Sequence, residues 1–197
     1  MTATKPEKPR ERQVELLGAI VDFLLRHGVS DLSLRPLAEG VGTSARLLIY
    51  HFGSKENLLA QALDEVRARV IVALATLGQT APATDMPMAL TRFWQWATHP
   101  DNQGYFRLLF ELDGLAMFDR VTLPIGTRQQ GTMLWIDRIE ALLRHFHPQV
   151  LDPRPQATLI AAALSGLLQD RLSTGDHERS AAAFSRLLMW LDLEDTA

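Results

Sequence analysis

The chain has 197 residues, of which 47% are hydrophobic and 22% are charged, a balance typical of a folded globular protein rather than a disordered one. It contains no cysteine, which excludes a disulfide framework and a thiolate metal site. The formal net charge is −3, but residues 1–55 hold eight Lys or Arg against six Asp or Glu, so the front of the chain is mildly basic and the remainder is acidic.

The amino-terminal segment MTATKPEKPRERQ is polar and has no apolar stretch of the kind found in secretion signals. No apolar run in the chain approaches the roughly 20 residues that a membrane-spanning helix needs. We therefore expect a soluble, cytoplasmic protein with no membrane partner, and we expect residues 1–9 to form a disordered basic tail.

Helical periodicity begins in residues 9–28, where apolar side chains recur at three- and four-residue spacing up to Gly28. A short second helix is predicted after an N-cap at Ser33. A third helix runs from a cap at Thr43 or Ser44 to Phe52. The next helix is capped by Ser54 and is long, at roughly 23 residues.

The segment GQTAPATDMP predicts a loop, because it combines glycine and proline with small polar residues. Further helical patterns follow at about 87–98, 101–120, 124–146, 154–174 and 177–192. The predicted fold is therefore all-α, with about nine helices. Residues 10–54 are predicted to form a three-helix, helix-turn-helix head, and residues 55–197 a carboxy-terminal helical bundle.

The two short helices around Gly42 have the spacing of a helix-turn-helix. In the second of them, Leu48 and Phe52 are four residues apart and are predicted to be buried together. Leu47 and Ile49 point to either side of Leu48, so both cannot join it in the core. We predict that they form an outward face, although such helix pairs are also common as plain structure.

The outward face suits the major groove of DNA, because it places small, apolar and aromatic groups around one arginine. Arg46 can bond guanine or a phosphate, and both roles stay open. Tyr50 can contact phosphate or pack against the first helix. Lys55 is a further candidate for a phosphate contact. The predicted DNA-binding residues are Arg35, Thr43, Ser44, Ala45, Arg46, Leu47, Ile49, Tyr50, His51 and Lys55.

The stretch LSLRPLAEGVGTSARLLIYHFGSKENLL resembles the DNA-binding signature of the TetR family of transcriptional regulators. The positions that carry the likeness are Gly42, Leu48, Phe52, Ser54, Lys55 and Leu58. His51 falls where the family often has an aromatic phosphate contact, whereas Ile49 replaces the usual Tyr and Arg46 replaces a small residue. The likeness covers residues 10 to about 60, and the remainder matches in length, helicity and the position of the long fourth helix.

The resemblance implies a ligand-responsive regulator, a repressor, that binds a pseudo-palindromic operator in double-stranded DNA as a homodimer. An all-α small-molecule binder or enzyme with a purely structural helix-turn-helix is the alternative, and a protein–protein adaptor is a third class. The chain has no catalytic motif, so no enzyme, cofactor or metal is expected. His145 and His147 are two residues apart on a helix and face away from each other, which makes them poor joint metal ligands.

The carboxy-terminal part is rich in aromatic residues and methionine, most of which are expected to form the core. The resemblance also implies a cavity between the fifth and eighth helices, for a small, mostly apolar or aromatic effector. The predicted ligand-binding residues are Phe93, Trp96, Phe106, Phe110, Met117, Gln130, Met133 and Trp135.

The last two helices each carry two apolar sides. One side must cover the core of its own chain, and the second predicts a four-helix dimer interface, with a thick monomer core as the alternative. The predicted interface residues are Leu164, Leu167, Leu168, Phe184, Leu187, Leu188 and Leu191.

Overall fold

The computed structural model describes residues 7–30, 32–80, 82–122 and 127–194, with the backbone alone for residues 7–10, 77, 80, 127, 128, 130 and 192–194. Within these ranges the chain forms nine α-helices and one 3-10 turn, and no strand. The predicted all-α class and number of helices are confirmed. None of the described helices is long and apolar enough to cross a bilayer.

The chain divides into two compact units. The first comprises residues 1–71 and 107–127, and the second comprises residues 72–106 and 128–197. The fourth helix runs from Lys55 to Thr80 and contributes residues to both units. The predicted boundary between residues 54 and 55 separates functional domains and stays a prediction.

The first unit contains three complete helices and parts of two more. The helices are α1 (Glu7–His27), α2 (Leu34–Gly40), α3 (Ala45–Phe52), the first part of α4 (Lys55–Thr80) and most of α6 (Gln103–Met117). Helix α1 begins inside the segment predicted to be a disordered tail, and residues 1–6 of that segment lie outside the described residues. Its buried stripe consists of Leu16, Ile20, Val21 and Leu24, and Val14 is exposed.

The second unit is built from the end of α4, α5 (Met86–Thr98), a 3-10 turn (Pro100–Asn102), α7 (Thr127–Phe146), α8 (Pro153–Thr174) and α9 (His177–Glu194). The carboxylate of Asp85 caps α5 by accepting from the backbone N–H of Met88 at 2.7 Å. In the core, Trp94 and Phe184 stack with ring centroids 4.6 Å apart. This contact joins α5 to α9 and orders the second unit around an aromatic pair.

Candidate nucleic-acid interface

The turn between α2 and α3 is a Schellman motif. The N–H of Thr43 donates to the carbonyl of Ala38 at 2.8 Å, and the N–H of Gly42 donates to the carbonyl of Glu39 at 3.3 Å. Gly42 has φ of +71°, a left-handed conformation that side chains with a Cβ adopt at a cost. The predicted glycine turn is therefore present, and it sets the direction in which α3 leaves α2.

Ser44 is the N-cap of α3. Its hydroxyl accepts from the backbone N–H of Leu47 at 3.2 Å, and its backbone is extended, as an N-cap requires. Ser33, the predicted cap of α2, is also extended but makes no side-chain cap hydrogen bond. The start of α3 is thus fixed by a short local motif that the sequence predicted.

A close approach between α1 and α2 requires a second glycine. A Cβ at Gly40 would lie 2.3 Å from Cε2 of the Phe23 ring, far inside contact distance. The ring of Phe23 itself stacks on His27 with centroids 4.2 Å apart, so it is not free to withdraw without losing that contact. Gly40 was not singled out in the sequence, because its role depends on a residue 17 positions earlier.

The side chains of α3 separate into a buried and an exposed face. Leu48 is 0% exposed and Phe52 is buried beside it, whereas Leu47 is 36%, Ile49 40% and Tyr50 76% exposed. The exposure of Tyr50 removes the alternative in which it packs against α1. Leu47, Ile49 and Tyr50 together expose more apolar surface than the stability of the folded unit requires. Such a surface often marks a binding site.

Arg46 belongs to the same surface and is exposed. Among the described residues it has no hydrogen-bond or ion-pair partner. Arg35, on α2, instead donates to the Glu39 carboxylate at 3.1 Å in an exposed i,i+4 pair. Of these two predicted DNA-binding arginines, Arg46 is the one without an intramolecular partner among the described residues.

The carboxy-terminal end of α3 is tied to its two neighbouring helices. The side-chain amide of Gln13, on α1, donates to the carbonyl of His51 at 3.1 Å. The side-chain amide of Asn57, on α4, donates to the carbonyl of Phe52 at 2.8 Å. These bonds occupy carbonyl groups that a helix end leaves without a partner, so they stabilise the orientation of α3. Neither amide was identified from the sequence.

The loop between α1 and α2 is held by a carboxylate from α6. Glu111 accepts from the backbone N–H of Val29 at 3.0 Å and from that of Ser30 at 2.7 Å, and the Ser30 hydroxyl also donates to it. Gly28, with φ of +72°, begins this loop, and a Cβ there would lie 2.4 Å from Oε2 of Glu111. A side chain at residue 28 would therefore displace the Glu111 carboxylate from its place against the loop.

Lys55 lies at the start of α4, where its ammonium group donates to the carbonyl of Leu32. The pKa of Glu56 is lowered, because its carboxylate accepts hydrogen bonds from the backbone N–H of Glu56 itself and from the Ser54 hydroxyl. The first turn of α4 therefore already holds a carboxylate, and Lys55 already has one partner. An ammonium group has three donors, so a phosphate contact by Lys55 stays a prediction.

Comparison with known proteins agrees with this geometry. Residues 16–62 match the model of the bacterial regulatory proteins of the tetR family, a segment that contains the whole of α2, the glycine turn and α3. The amino-terminal part of the chain is therefore similar to the TetR family of regulators.

The similarity to curated relatives is confined to the amino-terminal part. The HTH-type transcriptional regulator EthR from Mycobacterium tuberculosis is 32% identical over 75 residues, which is 38% of this chain and 35% of EthR. The chain thus matches about a third of the length of these curated relatives.

Solved structures extend the likeness in fold to the whole chain. A regulator assigned to the TetR family from Rhodococcus sp. is 23% identical, covers 93% of this chain and 98% of its own, and has a TM-score of 0.72. The multidrug binding protein EbrR complexed with proflavin is 22% identical, covers 91% of this chain and 99% of its own, and has a TM-score of 0.63.

The second unit contains a half-open cavity of about 130 Å³. Phe93 and Trp135, two of the predicted ligand-binding residues, line it, with their rings edge to face at 5.5 Å. The other lining residues are Leu74, Gly78, Ala83, Ala89, Leu90, Arg92, Arg138, Ile139, Leu142 and Leu164. Most were not selected from the sequence, although Trp135, Arg138, Ile139 and Leu142 follow the spacing of one helix face.

The remaining predicted ligand residues lie elsewhere. Trp96, Phe106 and Met133 belong to the second unit but do not line this cavity, and Phe106 is buried against Phe93. Phe110 and Met117 belong to the first unit, and Met117 is exposed. The side chain of Gln130 lies outside the described residues. The structure thus brings only Phe93 and Trp135 of the predicted ligand set to this cavity, and ligand binding by the set stays a prediction.

The predicted dimer residues divide between core and surface. Leu164, Leu168 and Phe184 are buried, so they are corrected to core positions of their own chain. Leu167, Leu187, Leu188 and Leu191 are partly exposed. A shallow groove between α8 and α9 is lined by Ala162, Ala163, Gly166, Leu167, Ala183, Arg186, Leu187 and Trp190. Trp190 is 65% exposed, and it was absent from the predicted set.

Proposed function

We propose that this chain is a TetR-family regulator, a ligand-responsive transcriptional repressor that binds a pseudo-palindromic operator as a homodimer. The observation that supports it most strongly is the exposed face of α3, where Leu47, Ile49 and Tyr50 flank an unpaired Arg46. In a helix-turn-helix protein this helix enters the major groove, and its side chains contact base edges. The proposal assigns the apolar groups to thymine methyls and Arg46 to guanine.

The binding energy for DNA and the choice of sequence are assigned to different residues. We expect Arg46→Ala to relax the preference for the operator over unrelated DNA by about 1–3 kcal/mol. We expect Lys55→Ala to weaken binding to the operator and to unrelated DNA about equally. It should also reduce the slope of log K against log salt concentration by about one. Gel-shift titrations at several salt concentrations, with the region upstream of the chain's own gene as candidate operator, measure both effects.

A matched control separates these roles from loss of positive charge in general. Arg26→Ala removes one exposed cation from the end of α1 and is expected to leave the operator preference unchanged. An equal loss of preference from Arg46→Ala and Lys55→Ala would contradict the division of roles. A chain that binds no DNA in a salt-dependent manner would instead favour the alternative, an effector-binding protein with a structural helix-turn-helix.

Dimerisation is proposed to use the groove between α8 and α9, because its alanines and Gly166 allow two helices of a second copy to approach closely. A Cβ at Gly166 would meet nothing within 4 Å in its own chain. We therefore expect Gly166→Glu to leave the subunit folded and to convert a dimer into a monomer in sedimentation experiments, since an unpaired charge in an apolar interface is costly.

The control for this substitution is Ala181→Glu, which adds the same charge to α9 at an exposed position outside the groove. It is expected to remain dimeric. A dimer that persists in Gly166→Glu would place the interface on another surface.

The effector is proposed to enter the cavity of the second unit and to change the affinity for DNA. EbrR, a neighbour in fold, is complexed with proflavin, which supports a small-molecule site in this architecture. A ligand can shift the binding of DNA only through a difference in its affinity for the two conformations involved. The repressor is expected to release DNA when the ligand prefers the non-binding conformation.

A further inference from the structure

The cavity in the second unit is apolar except for two cations. Among the described residues that line it, ten are apolar or glycine, two are Arg92 and Arg138, and none is acidic. Arg92 comes from α5 and Arg138 from α7, so positive charge reaches the cavity from two helices. An effector that fills such a site gains most if it carries negative charge.

Arg92 is short of hydrogen-bond acceptors. Within the part of the chain that the structure describes, its buried Nη1 has no hydrogen-bond partner, and its Nη2 is bonded to the Sδ of Met88 alone, at 3.2 Å. A thioether is a weak acceptor and carries no charge, so it does not neutralise the guanidinium. A partly buried cation without a counter-ion is unfavourable, and an anion in the cavity would offset that cost.

Three other arginines of the same unit have carboxylate partners. Arg154 donates to the carboxylate of Glu140 at 2.9 Å, and Arg144 donates to the same group at 2.7 Å. Their hydrogen bonds lower the pKa of Glu140. Arg179 is paired with Asp170 and Asp176. Arg92 and Arg138, in contrast, form no ion pair among the residues that the structure describes.

We infer that the cavity binds a small organic anion, with an apolar body of about one aromatic ring and a carboxylate held by Arg92 and Arg138. The volume of about 130 Å³ supports this size, because an apolar protein cavity of about 150 Å³ binds benzene. Phe93 and Trp135 supply an aromatic wall for the body. The inference rests on the proposed function only in taking this cavity as the effector site.

The test compares a carboxylate with its neutral amide on the full chain. Phenylacetate and phenylacetamide have nearly the same shape, and calorimetry measures the dissociation constant of each. We expect phenylacetate to bind at least tenfold more tightly. Arg92→Met should reduce that preference by about 10- to 100-fold, since a hydrogen bond to a charged group is lost while the apolar stem is kept.

Further variants keep the result independent of folding. Arg138, the other cation at the cavity, is exposed. Arg138→Met should also reduce the preference for phenylacetate over phenylacetamide, whereas Arg92→Lys should retain part of that preference. Arg144→Met makes the same charge change on α7 away from the cavity lining and should leave it unchanged. The inference is overturned if acid and amide bind equally, if neither binds, or if both Met variants at the cavity keep the preference.

The same samples separate this inference from the proposed function. Gel-shift titrations with and without phenylacetate report whether the bound anion changes DNA affinity. Selective binding of the acid without any effect on DNA would support the ligand class and contradict the ligand-responsive role. If phenylacetate but not phenylacetamide releases DNA, and Arg92→Met abolishes this release, both the ligand class and the ligand-responsive role are supported.

Discussion

Replacing Leu48 by alanine is expected to destabilise the first unit by about 2–5 kcal/mol, whereas Ile49→Ala is expected to change its stability by no more than about 0.5 kcal/mol. The two residues are neighbours on α3, but Leu48 is 0% exposed and Ile49 is 40% exposed. Removing a buried side chain leaves a cavity beside Phe52, while removing an exposed one leaves only solvent. Urea unfolding, with amide hydrogen exchange of residues 45–52, measures the difference.

DNA binding, measured per amount of folded protein, is expected to be affected in the opposite order: Ile49→Ala should lose more affinity than Leu48→Ala. Ile49→Ala should weaken operator binding about tenfold, or about 1.4 kcal/mol, through loss of apolar contact in the groove. Leu47→Ala, on the other side of Leu48, is the companion variant and should behave in the same way. Equal destabilisation by Leu48→Ala and Ile49→Ala, or unchanged DNA affinity in Ile49→Ala, would contradict the exposed face of α3 as the DNA-binding surface.

Gly28→Ala is expected to destabilise the first unit by about 2–4 kcal/mol, through two separate effects. Its φ of +72° is left-handed, which costs a residue with a Cβ about 1–2 kcal/mol. The new Cβ would also lie 2.4 Å from Oε2 of Glu111. That carboxylate can move aside, but only by giving up its bonds to the N–H groups of Val29 and Ser30.

Gly175 provides the matched control, because it has the same φ of +72° and a Cβ there meets nothing within 4 Å. Gly175→Ala should therefore cost only the backbone contribution, about 1–2 kcal/mol. In a double-mutant cycle, Gly28→Ala should cost less in a chain that already carries Glu111→Ala. Equal losses at the two glycines, with additive effects of Gly28 and Glu111 variants, would show that the contact with α6 contributes nothing.

The positions of the helices follow closely from the sequence. Gly42 and Ser44 act at the turn and at the cap of α3 as predicted, because both depend on backbone groups within five residues. The burial of Leu48 with Phe52 also followed from the spacing of α3 alone. These features depend on the helical repeat and on local hydrogen bonds, which a single sequence contains in full.

Side chains that join distant segments were harder to predict. Gln13 and Asn57 carry no local signal for binding the end of α3, and Glu111 is 81 residues from the backbone of Ser30 that it binds. Gly40 likewise matters because of Phe23, a residue on another helix. In each case the partner is determined by how helices pack, and the sequence alone does not reveal that packing.

The candidate ligand and dimer surfaces show the same division. The amino-acid sequence by itself determined that this is an all-α chain with a glycine-turn helix-turn-helix and two apolar sides on its last helices. Only the tertiary structure decided that Phe184 and Leu168 belong to the core, that Trp190 is exposed, and that Arg92 and Arg138 share a cavity. The physical reason is that helical periodicity arises between residues three and four apart, whereas the choice of which apolar face is covered depends on contacts between residues far apart in the chain.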